Sequence, residues 1–197
     1  MLLLSAGLLV YSRVDDHLAG LRAQRIVEQI MAGGWDIQIV EEPQRRPAIL
    51  SPSVAALVNE NDSHHDEMPG RQVIGVLEIP ALNLALPVLH ASTYALLDIS
   101  VARYTGGVTD RPERLVIAGH NYDSHFGRIS SLKPGDQIRF TTTEGVQLYY
   151  RMLRLESCHM TESEVVQEGA DWDITLLTCQ NDRTMRSLVR FAEIHNN

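Results

Sequence analysis

From Val73 to the C-terminus the chain is written in short apolar runs separated by turn residues. Val73–Ile79 (VIGVLEI) stops at Pro80, Leu84–His90 (LALPVLH) carries Pro87, and Leu115–Ala118 (LVIA) is unbroken. Runs of roughly four to eight such residues, bounded by turn signals, read as strands; the unbroken ones read as buried strands. Pro87 cannot donate to a ladder, so it predicts a sheet edge or a bulge. Gln137–Thr143 and Val146–Leu155 flank Glu144-Gly145, a hairpin signature. Ile174–Thr178 and Ser187–Ile194 complete the series. Short helical pieces are predicted near Thr93–Asp98, Arg128–Leu132 and Thr161–Gly169, the last with Thr161 as cap and Glu164 at capping-box spacing. Seven or eight short strands with few helices predict a mostly β fold, an antiparallel barrel closed or partly closed.

The first part of the chain follows a different rhythm. Met1–Tyr11 (MLLLSAGLLVY) is apolar, with no charge before Arg13. A spanning helix needs about 20 such residues, and the run lacks the basic start and small-residue cleavage site of a secretion signal. Two readings follow: the outer half of a membrane-spanning helix whose start lies upstream, or a hydrophobic helix end buried in the fold. Asp15–Ala32 continues as a helix, with Leu18, Leu21, Ile26, Val27, Ile30 and Met31 at near-helical spacing. Asp15 and Asp16 suit a first turn, and Gly33-Gly34 a helix end. Glu41–Arg71 holds Pro43, Pro47, Pro52 and Pro69 and the polar run Asn59–Glu67, which predicts a linker with one short helix near Ser53–Val58. His64-His65 has no second cluster at metal-ligand spacing and reads as a solvated loop. The expected organisation is residues 1–12 as a partial membrane anchor, 13–34 as an N-terminal helix, 35–71 as a linker and 72–197 as the barrel.

Composition narrows the chemistry. The 197 residues are 44% hydrophobic and 21% charged, as in a globular domain. A net charge of −8 with no basic run argues against a nucleic-acid partner. Cys158 and Cys179 are too few for a disulfide framework or a four-cysteine zinc site. Whatever the protein does rests on a small number of side chains.

Two predicted strands end in reactive types. Leu115–Ala118 runs into Gly119-His120-Asn121, and Ile174–Thr178 runs into Cys179. A nucleophilic thiolate needs a nearby base or cation, and histidine is the usual partner. Arg186, which opens the next strand, can hold charge that develops on a carbonyl oxygen. Singly, each has a plainer reading: Cys179 as a small core residue, His120 as structural, Arg186 as solvated or paired. Arg190 shares a face with Arg186 but stands about 13 Å further along the strand; Arg183, in the turn, is a weaker rival. His125 is a second acid–base candidate or a loop histidine packed beside Phe126. Asn121 is placed to hold the loop or His120, and Tyr104 and Tyr122 read equally as groove-lining residues and as surface aromatics. Cys158 reads as a buried free thiol.

With these residues in place the chain resembles the sortases, cysteine transpeptidases of Gram-positive bacteria. The matching text is Ile79-Pro80 with Leu86-Pro87-Val88, IAGHN (117–121), TLLTC (175–179) and RSLVRFA (186–192). The resemblance implies an eight-stranded closed β-barrel and His120, Cys179 and Arg186 as catalytic residues, with Thr178, Asn121 and Tyr104 near the substrate. It implies a sorting-signal peptide as substrate, a peptidoglycan precursor or pilin amine as acceptor, and a membrane anchor at the N-terminus with the catalytic domain outside the cell. The N-terminal helix is most similar to class B and related clostridial members, although the short gap from Cys179 to Arg186 lacks the long class B insertion. No cofactor is implied; some members bind calcium through acidic loops, but Glu156–Asp182 offers no assignable ligand set and reads as a solvated face. A hydrolytic cysteine peptidase and a non-catalytic wall-peptide-binding barrel are the alternatives.

Overall fold

The computed structural model describes residues 2–35, 37, 39, 72–107, 114–181 and 184–195. Apart from residues 35, 37 and 39, the predicted linker lies outside them, with its short helix and His64-His65, as does Arg183. Eight strands form one closed barrel: β1 (Val73–Ile79), β2 (Leu84–Leu89), β3 (Val101–Thr105), β4 (Leu115–Ala118), β5 (Gln137–Thr142), β6 (Gln147–His159), β7 (Ile174–Cys179) and β8 (Met185–Glu193). Their order around the barrel is β1-β2-β3-β4-β7-β8-β6-β5. The barrel is not purely antiparallel, because β2–β3 and β4–β7 pair in parallel. β3 departs from the sequence expectation by being a strand at all, and β6 runs on past Leu155 to include Cys158.

Pro87 sits inside β2, opposite Val76 of β1. Its missing N–H costs nothing on the other side, because β2 meets β3 only at Val88–Val101 and Leu89–Ala102. The hairpin between β5 and β6 turns at Gly145, whose φ of 82° is ordinary for glycine and rare for other residues. The predicted helix at Thr161–Gly169 contracts to a 3-10 turn at Glu164–Val166, preceded by Ser163. Glu162 instead accepts the backbone N–H of His159.

Two apolar cores share the barrel wall. Leu77, Phe140, Ile117, Leu176, Val189 and Phe191 belong to the inner one. The outer one joins Val116, Ala118, Leu177 and Leu188 to Ile26 and Ile30 of the N-terminal helix and to Leu96 and Leu97. β4 and β7 are buried at every position because both faces are covered, which explains their unbroken apolar text.

The N-terminal segment is one continuous helix, α1 (Leu2–Met31), so the predicted helix from Asp15 is the continuation of the apolar run before it. Asp15 and Asp16 therefore lie mid-helix. The face against the barrel is Ala19, Ala23, Ile26 and Ile30, while Leu18, Leu21 and Met31 are exposed. Ile26 and Ile30 dock on the outer core, and Gly20 lets α1 approach the loop that follows His120. A one-turn helix, α2 (Tyr94–Leu97), is capped by Thr93, whose Oγ1 accepts the Leu96 N–H. Among the described residues, no helix is long and apolar enough to cross a membrane.

Candidate active site

Strand pairing brings three distant residues into one row. β4 and β7 run parallel, with Ala118 beside Leu177, and the Gly119 N–H extends the ladder to the Leu177 carbonyl at 3.0 Å. His120 thus leaves β4 next to the end of β7, where Cys179 sits, with neighbouring strands about 4.8 Å apart. On the far side of β7, Cys179 is the register partner of Arg186 on β8. Cys179 belongs to the outer core, so the row lies at the barrel rim on its outward face and not in its lumen. All three side chains are buried: His120 is 6%, Cys179 5% and Arg186 3% exposed.

The two arginines on this face differ in what they hold. Arg190 donates to Glu156, Thr175 Oγ1 and the carbonyls of Val165 and Val166, and it lies over the Trp172 ring. Its donors are committed to structure. Arg186 donates from Nη2 to the Met160 carbonyl at 2.6 Å. Its Nε and Nη1 are buried with no hydrogen-bond partner among the described residues. A desolvated guanidinium with two unpartnered nitrogens, beside a thiol, is suited to a carbonyl oxygen that becomes negative.

His120 is held from several directions. Its Nε2 stands 3.3 Å from Asp98 Oδ1, near enough for an ion pair but not aligned as a hydrogen bond. The Tyr122 ring lies 4.8 Å away, and the His125 ring lies parallel at 6.5 Å. His125 is fully buried, and among the described residues neither ring nitrogen has a well-aligned hydrogen bond. Burial, and secondarily the neighbouring His120, lowers its pKa to about 4, so it is neutral at neutral pH.

Asn121 donates to Asn181 Oδ1 at 2.7 Å and bridges the loops leaving β4 and β7. The Thr178 hydroxyl donates to the Gly119 carbonyl at 2.8 Å. By alternation it faces away from Cys179 and Arg186 and ties β7 to the loop leaving β4. Gln180 reaches the Arg186 carbonyl and the hydroxyls of Ser157 and Ser187. Tyr104 lies in the outer core on β3, at the stretch where β3 meets Val116 and Ile117, and away from the strand end that carries His120. Cys158 is a buried free thiol opposite Arg186 on β6. Burial pushes its pKa up, and Arg186 pulls the other way. Asp98 and Asp16, expected only as helix-end residues, respectively face His120 and hold the loop that follows it. Among the described residues, no group of three or more His, Cys, Asp or Glu side chains is arranged to hold a metal ion.

The family model of the Sortase domain matches residues 77–194. Sortase A of Bacillus anthracis is 33% identical over 112 residues, which cover 55% of this chain and 53% of that protein. Sortase D of Bacillus subtilis (strain 168) is 26% identical over 110 residues, covering 55% and 54%. The chain thus spans about half the length of these curated relatives. An X-ray structure of Clostridium perfringens sortase C with the C-terminal cell wall sorting motif superposes with a TM-score of 0.56 at 27% identity, covering 63% of this chain and 71% of that one. The match of the family model over more than half of the sequence, on the strands that carry His120, Cys179 and Arg186, settles the family: the chain belongs to the sortases.

Proposed function

We propose that this protein is a cysteine transpeptidase that cleaves a C-terminal sorting signal and transfers the new acyl end to an amine of the cell wall or of a pilin. The observation that carries the reading is the single row of His120, Cys179 and Arg186, with two guanidinium nitrogens beside the thiol unpartnered among the described residues. The Clostridium perfringens sortase C, related in fold and sequence, was determined with a cell wall sorting motif, which supports a peptide of that class here.

The steps follow from the row. The Cys179 thiolate attacks the carbonyl carbon of the scissile peptide bond. Arg186 donates to the oxygen as it gains charge, from a guanidinium nitrogen that has no partner among the described residues, in a buried site where such bonds count most. The C–N bond breaks as the His120 imidazolium gives its proton to the leaving amine, and a thioester remains on Cys179. The acceptor amine attacks the thioester, His120 takes its proton, and Cys179 leaves as thiolate. The buried surroundings disfavour water as a competing acceptor. The charge-free apolar run at the start of α1 supports attachment to a membrane, with the barrel on the outer side.

The deciding experiment incubates the protein with sorting-signal peptides, with and without an added amine, and identifies the Cys179 adduct by mass spectrometry. A thioester on Cys179 and amine-dependent product are expected, and both vanish in Cys179→Ala. Undiminished processing by Cys179→Ala would remove the nucleophile. Product that forms equally well without amine would make the protein a hydrolase.

A further inference from the structure

The two carboxylate oxygens of Asp16, in the middle of α1, accept the backbone N–H groups of Asp123 and Ser124 at 3.1 and 3.0 Å. These residues lie in the loop that leaves His120. The Ser124 hydroxyl donates back to the Asp16 carbonyl at 2.9 Å. One turn further along α1, Gly20 makes room for this contact: a Cβ there would lie 2.9 Å from Ser124 Cβ. The helix therefore seats the loop in a notch made by a missing side chain and bolts it with a carboxylate. The next turn reaches the other side of His120. Arg22 Nη1 donates to the Asp98 carbonyl at 3.3 Å, and the Asp98 carboxylate is the group facing His120 Nε2. Ile26 and Ile30 share the outer core with Leu96 and Leu97 of α2, which ends at Asp98.

We propose that α1 is part of the catalytic apparatus, and that Asp16 is a positioning residue that sets His120 against Cys179 through the Asp123–Ser124 backbone. Docking of α1 fixes both segments that frame the imidazole; release of α1 frees the loop and uncouples His120 from the thiol. The geometry alone locates the clamp; its catalytic consequence rests on His120 acting as the acid and base of the proposed reaction. Among the described residues, the charged and titratable groups around His120 include Asp98 at the end of α2, Tyr122 and His125 from its own loop, and Cys179 and Arg186 from β7 and β8, with Asp16 of α1 facing His125.

The test uses the full chain and two readouts. One is the pH profile of Cys179 alkylation by iodoacetamide, scored as the Cys179 adduct by mass spectrometry, which needs no sorting peptide. The other is the kcat and KM of peptide transfer. Asp16→Ala is expected to shift the alkylation profile and to lower kcat about tenfold or more with KM nearly unchanged. Asp16→Asn, which keeps one acceptor, falls between. Gly20→Ala is the sharper variant: alanine favours a helix over glycine, so α1 itself gains, yet the new methyl pushes Ser124 away and the same two changes are expected. Wild-type alkylation profiles in all three variants would overturn the proposal, even if melting temperatures fell, because a merely structural helix lowers the folded fraction without altering the profile of what remains. Absence of transfer by the wild-type protein would sink the proposed reaction, while the alkylation profile would still decide whether Asp16 governs the histidine–thiol pair.

Discussion

Arg186 and Arg190 stand four residues apart on the same face of β8, yet only Arg186 keeps guanidinium nitrogens without partners. The difference assigns them separate jobs. Arg186→Lys removes the fork but keeps a charge, so kcat is expected to fall about a hundredfold or more with little loss of stability. Arg190→Met takes a buried guanidinium from Glu156, which is partly exposed and keeps Arg154, and strips three further acceptors, and is expected to cost about 1–3 kcal/mol for each acceptor left buried and unpaired. Urea denaturation beside peptide kinetics separates the two; near-normal turnover in Arg186→Lys would return the oxyanion role to another donor.

His125 gives the protein an acid limb. Its folded pKa, lowered to about 4 by burial and by His120, lies below the ordinary value of 6.5. Between those values the unfolded chain binds the proton and the folded one does not, so the unfolded state gains as pH falls. The contribution is whole above about pH 6.5 and declines toward pH 4, by on the order of 3 kcal/mol in total. Urea midpoints measured from pH 7 to pH 4.5 are expected to fall, and the fall to be shallower in His125→Phe. Equal slopes in the two proteins would show that His125 is protonated in the fold or that other groups carry the limb.

Cys158 and Cys179 lie on β6 and β7, with Arg186 on β8 between them in register with both. Two strand spacings put their Cα atoms about 10 Å apart, beyond the reach of a disulfide. Oxidation of the folded protein is therefore expected to leave no internal cross-link. Cys158→Ala is expected to keep transfer activity within about twofold, since the raised pKa of a buried thiol leaves it little thiolate at neutral pH. Peptide mapping under non-reducing conditions checks the first outcome and kinetics the second.

The parts of the site that were legible in the sequence are those that pair strongly within short segments. Leu115–Ala118 and Ile174–Thr178 announce strands buried on both faces, and such strands end where His120 and Cys179 begin. β3 was hidden because Arg103 interrupts its apolar text; the structure satisfies that charge by donation from Nε to the His90 carbonyl, a tertiary contact with no local mark. The parallel β4–β7 pairing that aligns His120 with Cys179 depends on the intervening β5 and β6 lying elsewhere in the barrel, which periodicity does not reveal. Asp16 looked like a helix-start residue because helix starts favour acids. Its real acceptors' partners, Asp123 and Ser124, come from far along the chain.

Thr178 links the two strand ends that carry the reacting groups, and its hydroxyl is what separates it from an equally sized apolar residue. Thr178→Val keeps the shape and β-branching but withdraws the donor from the Gly119 carbonyl, at a side chain only 2% exposed. A buried acceptor left without its partner costs about 1–3 kcal/mol. The loss falls at the residue before His120, so the imidazole gains freedom relative to Cys179 beyond what global stability reports. Thr178→Ser keeps the donor and gives up one methyl, a smaller packing loss of about 1 kcal/mol. Thr178→Val is therefore expected to lose more kcat than Thr178→Ser, and to do so at temperatures where both are fully folded by circular dichroism. If the serine variant were the slower of the two, the methyl's packing and not the hydrogen bond to Gly119 would be what keeps β4 and β7 in catalytic alignment.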